Sequence, residues 1–162
     1  MYDGDLWSTD HRIRYAVSSA KARFYILILL LVCFAQLLHA ATSLSATVDE
    51  GFHITSGYEY LRTGRMQLFD EHPPLAKALF AWPLFLIPDL TPPETASGYA
   101  AGDLIAVAQA TVLAYSPIDR VLIACRVPVA LLCVLLAASS YRWANKVAGV
   151  NGGLAALVLF TF

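Results

Sequence analysis

TVDEGFHITSGYEYLRTGRMQLFDEHPPLAK, residues 47–77, follows a long apolar stretch and holds two acidic pairs, Asp49-Glu50 and Asp70-Glu71. Each pair is followed closely by a histidine, His53 and His72. Thr47-Val48-Asp49-Glu50 fits a capping box, in which the threonine hydroxyl accepts from the third helical N–H and the glutamate reaches back. A helix from Val48 to about Thr63 follows, closed by Gly64, because glycine accepts the left-handed conformation that ends helices. Asp49, His53, Ser56 and Tyr60 then stand at i, i+4, i+7 and i+11 and form one polar stripe. Pro73-Pro74 suits the opening of a second helix, where a missing N–H costs nothing. That helix is expected from Leu75 to about Ile87, kinked or ended by Pro83.

Working back from this stretch, Phe24 to Val48 contains no formal charge, enough for about 20 residues of transmembrane helix. The run exceeds a signal-peptide core of about 7–15 residues. Gln36 and His39 in its outer half suit hydrogen bonding between helices. Arg12, Arg14, Lys21 and Arg23 precede it, so the positive-inside rule puts segment 1–23 in the cytoplasm and residues 49–119 outside. Working forward, Pro88 to Gly102 reads as a loop rich in Pro, Gly, Ser and Thr. Asp103 caps a short helix over Leu104–Tyr115, Ser116-Pro117 breaks it, and Asp119 caps the next. A second span covers 120–141, interrupted only by Arg126 and Pro128. Arg142 and Lys146 mark a cytoplasmic turn at 142–146. Residues 147–162 would reach only about 24 Å as helix, short of a hydrocarbon core of about 30 Å. They are expected to be a truncated third span whose partner is the missing C-terminal part of the same protein.

Composition agrees. Apolar residues make up 58% and charged residues 14% of the 162, and mean hydropathy is +0.59. A soluble domain has about 25% charged residues. A net charge of −1 gives no electrostatic reason to expect nucleic acid. Cys33, Cys125 and Cys133 lie in apolar runs and read as packing residues. The fold class expected is all-α integral membrane, with two complete transmembrane helices, a partial third, and a large external loop of short juxtamembrane helices.

The acidic motifs resemble the first external loop of membrane sugar transferases with lipid-phosphate donors, the GT-C type. The resemblance is to glycosyltransferase family 39, the protein O-mannosyltransferases and the lipid A aminoarabinose transferases. Asp49-Glu50, His53, Gly57-Tyr58, Tyr60-Leu61 and Glu71-His72-Pro73-Pro74-Leu75 carry it, and Arg126-Val127-Pro128 extends it to about residue 153. The match covers most of the chain, as the N-terminal part of such an enzyme. It implies a multi-pass plasma-membrane protein that moves a sugar from a polyprenyl- or dolichyl-phosphate donor to a protein, lipid or glycan, with inversion.

The resemblance implies Asp49 as catalytic base, with Glu50 beside it. Partial desolvation near a membrane raises a carboxylate's affinity for a proton, which suits a base. Asp49 and Glu50 also suit the plain task of complementing a helix dipole. The resemblance implies that Arg126 grips the donor phosphate, a task suited to its two-pronged fork. Snorkelling to the headgroups is its structural alternative. His53, Tyr60 and His72 are the further substrate-binding candidates. Glu71 is a candidate ligand for a divalent metal, as carboxylate and imidazole suit zinc or a harder ion. In the aminoarabinose transferases that metal-site acid precedes a lysine, where this chain has His72. Two other readings stay open: a non-catalytic membrane remnant or subunit that binds lipid or a partner helix bundle, and part of a carrier whose pathway Glu71 and Arg126 line.

Overall fold

The computed structural model describes the backbone of residues 6–115 and 117–162, and the side chains from residue 20 onward apart from Ser116. Ser116, read as a helix break, and most of the side chains of segment 1–23 therefore lie outside the described residues. In order come α1 (Leu6–Ser43), α2 (Val48–Thr63), α3 (Pro74–Ala81), α4 (Leu104–Ala108) and α5 (Ile118–Thr161). Among the described residues there is no strand. Ala20–Ser43 within α1 and the whole of α5 are long and apolar enough to cross a membrane. The chain divides into two compact units, one made of residues up to Gln36 together with Cys133–Phe162, the other of Leu37–Leu132.

The Leu37–Leu132 unit is built around α2. Thr47 caps it with both halves of the capping box in place, and Gly64 ends it at φ 71°. Buried residues occur on every side of α2 over its middle turns, from Ile54 to Glu59. A polar helix is thus enclosed by short apolar elements. Gly57 allows the closest approach, since a Cβ there would overlap the backbone carbonyl of Lys77 on α3. Ile54 and Tyr58 of α2 share a core with Ala81, Leu84, Val112 and Val121.

Several expected elements change form. The 75–87 helix is α only to Ala81, and Trp82–Leu86 tightens to a 3₁₀ turn around Pro83. Proline lacks the N–H that would continue the α ladder. The 104–115 helix is α over Leu104–Ala108, where Asp103 accepts from the N–H of Ala106 at 3.0 Å, then widens to a π turn over Gln109–Leu113. Asp119 sits inside the first turn of α5 and does not cap it. Within the polar stripe Asp49 is exposed, whereas Ser56 is buried, its hydroxyl donating to the carbonyl of His53 at 3.3 Å.

In the other unit, the turn expected at 142–146 is helical. The break comes at Gly149, with φ 69° and ψ −173°, a backbone region open essentially to glycine alone. Beyond it the chain folds back, and a Cβ on Gly153 would stand 2.7 Å from the Tyr141 ring. Ala137 and Leu157, each four residues further along the two arms, are fully buried.

Candidate functional site

The candidate site lies within the Leu37–Leu132 unit, where the end of α1, the first turn of α2 and the first turns of α5 meet. The last carbonyls of a helix have no partner within it. Here one side chain from α5 meets that need. Arg126 donates through Nη1 to the carbonyls of Ala41 and Leu44, both at 2.8 Å, and through Nη2 to that of Ser45 at 3.0 Å. Its remaining edge forms a fork with Glu50, Nε to Oε1 and Nη2 to Oε2, each 2.7 Å. A guanidinium has five N–H donors, and all five are engaged.

Glu50 is equally committed. Its carboxylate accepts from the N–H of Thr47 at 3.0 Å, and its own N–H donates to the Thr47 hydroxyl at 3.4 Å. The hydrogen bonds from Arg126 hold the Glu50 carboxyl below the usual carboxylate range, against the opposing effect of its partial burial. One ion pair thus places a cation at the C-terminal end of α1 and an anion at the N-terminal end of α2, each where the helix dipole favours it.

Asp49, next along the same turn, is exposed. It borders a cavity of about 230 Å³ whose polar rim is completed by Glu50, His53 and Arg126. The walls are apolar, from Ile54, Phe80, Cys125 and Val129. Such a mixture of apolar lining and a few convergent polar groups is typical of ligand sites. His53, one turn along α2 from Asp49, is half-buried. Burial lowers its proton affinity first, with Lys77 and His72 adding to the shift and Asp49 opposing it.

His72 belongs to a neighbouring aromatic group and does not border the cavity. Its ring lies 5.1 Å from that of His53 and 5.7 Å from Phe69, centroid to centroid. Lys77, 1% exposed, places Nζ 4.3 Å from the Phe69 ring centre and donates to the Phe69 carbonyl. Tyr60 is two turns beyond His53 on α2, about 10 Å at 1.5 Å per residue, and also lies outside the cavity lining. Glu71 and His72 are exposed. Among the described residues no three His, Cys, Asp or Glu side chains converge as a metal site.

Sequence reasoning missed Phe80 and Val129 as cavity walls, and it missed Glu59. That carboxylate is fully buried and accepts from the N–H groups of Gln67 and Leu68, both at 3.2 Å, and from the Tyr99 hydroxyl at 3.0 Å. It folds the 65–69 segment onto α2. Its position nine residues after Glu50 offered no distinguishing sign, since glutamates are ordinary in helices.

No protein-family model, curated protein or solved structure matches this chain. Among the described residues, fold and site define a helical protein with two helices long and apolar enough to cross a membrane and an acid-rimmed cavity near the end of the first.

Proposed function

We propose that α1 and α5 cross the plasma membrane with residues 49–119 on the external face, and that the chain acts in sugar transfer from a polyprenyl-phosphate donor. One observation carries this reading. Asp49 is an exposed carboxylate on the rim of a largely apolar cavity, set at the first turn after a long apolar helix. A donor with a lipid chain and a polar sugar phosphate needs both environments side by side. The resemblance of the acidic motifs to family 39 transferases supports the same reading.

In the reaction, an acceptor hydroxyl oxygen attacks the anomeric carbon while its proton passes to Asp49. The bond from that carbon to the phosphate oxygen breaks, and the lipid phosphate leaves with the electron pair. Attack opposite the leaving group inverts the configuration. Asp49 suits the proton transfer better than Glu50, whose two oxygens are held by Arg126 and Thr47.

A second reading, a non-catalytic membrane module, draws support from one fact: Arg126 and Glu50 satisfy each other within the fold. The two are separated by an assay on membranes carrying the protein from its complete reading frame. Radiolabelled polyprenyl-phosphate mannose and aminoarabinose would be supplied in turn. Transfer of label with release of lipid phosphate, above membranes lacking the protein, is expected. Donor left intact with both sugars would favour the non-catalytic module.

A further inference from the structure

We propose that Arg126 is a positioning residue that sets the place of Asp49, and is not the group that grips a donor phosphate. The inference rests on the transferase reading only for the importance of Asp49. The placement of the guanidinium stands apart from it.

A guanidinium that binds phosphate presents two parallel N–H groups to the ligand. In Arg126 the Nε and Nη2 pair that forms such a fork already holds Glu50, both bonds at 2.7 Å. The other three donors are spent on the carbonyls of Ala41, Leu44 and Ser45. These partners are not incidental. Three belong to the end of α1 and the segment just after it, and the fourth is the third residue of α2. The residues between Ser45 and Glu50 are thus pinned at both ends by one planar group. Asp49 lies inside that interval, with its neighbour Glu50 clamped and its helix start fixed by the capping box. An exposed aspartate at a helix start would otherwise move with the fraying of that turn.

Lysine cannot replace this group. Its ammonium has three donors on a flexible stem and no fork. A fragmentary rescue by Arg126→Lys is therefore expected, and none by Arg126→Gln, which loses the charge as well.

The test uses the protein from its complete reading frame in lipid nanodiscs. Nitroxide labels are attached through Leu44→Cys and Leu61→Cys, with native cysteines replaced by alanine. Leu44 and Leu61 are both exposed, and Leu61 lies about 20 Å along α2 from its start, within range of pulsed dipolar spectroscopy. With Arg126 intact, one narrow distance is expected. Arg126→Gln should broaden it and Arg126→Lys should give an intermediate width. In the transfer assay, kcat should fall about 10²-fold through misplacement of the base, while KM for the donor stays within about twofold of the parent. An unchanged distance distribution in Arg126→Gln would overturn the proposal, as would a raised donor KM with kcat preserved. If Arg126→Gln does not fold, the width measured for Arg126→Lys decides in the same way. If the parent protein transfers no sugar, the transferase reading falls, and the distance measurement still decides whether Arg126 positions this turn.

Discussion

Arg126 and Glu50, 76 residues apart, meet in a fork of two hydrogen bonds, each 2.7 Å. The pair is only partly exposed, with side-chain accessibilities of 14% and 29%. Removing the carboxylate leaves a half-buried cation without its counter-charge, so Glu50→Ala should cost about 2–3 kcal/mol. Glu50→Gln keeps the bond to Nε but turns an N–H toward Nη2, and should cost about half as much. Thermal melts of both variants in the same detergent give the comparison. Equal melting temperatures for Glu50→Ala and the parent would remove the pair from the stability account.

The same pair gives a dependence on pH with a definite sign. The carboxyl of Glu50 is held below its ordinary value of 4.5. Its contribution is therefore complete above pH 4.5 and is lost as pH falls through the lower folded value. Melting temperature followed from pH 6 downward should drop less in Glu50→Gln than in the parent.

His53 acts in a higher window. Its folded-state value lies below 6.5, chiefly because of burial. The unfolded chain then binds the proton more readily, so stability is full above pH 6.5 and declines as pH falls below it. His53→Gln should flatten this part of the curve. A parent protein whose stability rises on acidification from pH 7 would contradict the assignment.

Gly57 marks the tightest helix contact. A methyl group there would overlap the carbonyl of Lys77, and backbone cannot move aside as a side chain does. Gly57→Ala should cost about 3 kcal/mol, the upper end for overpacking. Gly64→Ala is the control. It has open space around it and only a left-handed φ of 71°, which costs about 1–2 kcal/mol. Similar losses for the two would show that α2 and α3 separate easily.

What could be read in advance was local. Thr47 and Glu50 lie three residues apart, Gly64 follows the last helical turn, and Pro73-Pro74 opens α3, and each of these acts through its nearest neighbours. What could not be read depends on distant backbone. Three of the five bonds of Arg126 go to main-chain carbonyls 81 to 85 residues away, and a carbonyl carries no mark of residue type. The burial of Ser56 within the polar stripe on α2 has a related reason. Ser56 satisfied its hydroxyl on the carbonyl of His53, so polarity did not demand solvent. The glycines at 149, 152 and 153 were visible, but the charges Arg142 and Lys146 drew the expected turn towards themselves. Backbone freedom at Gly149 placed the reversal instead.

Membrane placement is checked by labelling. Ser97 is exposed in the segment proposed to be external. A cysteine at Ser97, with Cys33, Cys125 and Cys133 replaced, should react with an impermeant thiol reagent in intact cells. Reaction only after lysis would reverse the orientation.

Proposed as the base, Asp49 has its control in the neighbouring Glu50. Asp49→Asn keeps size and helix-start hydrogen bonding but cannot take a proton, whereas Glu50→Gln loosens the clamp only in part and keeps the Asp49 carboxylate. Initial rates of sugar transfer from a polyprenyl-phosphate donor would be measured for both, at matched amounts of folded protein. Loss of a general base costs about 10²–10⁴-fold in rate. The proposed role of Asp49 requires a loss of that size for Asp49→Asn and a smaller one for Glu50→Gln. Near-parental turnover by Asp49→Asn would contradict it.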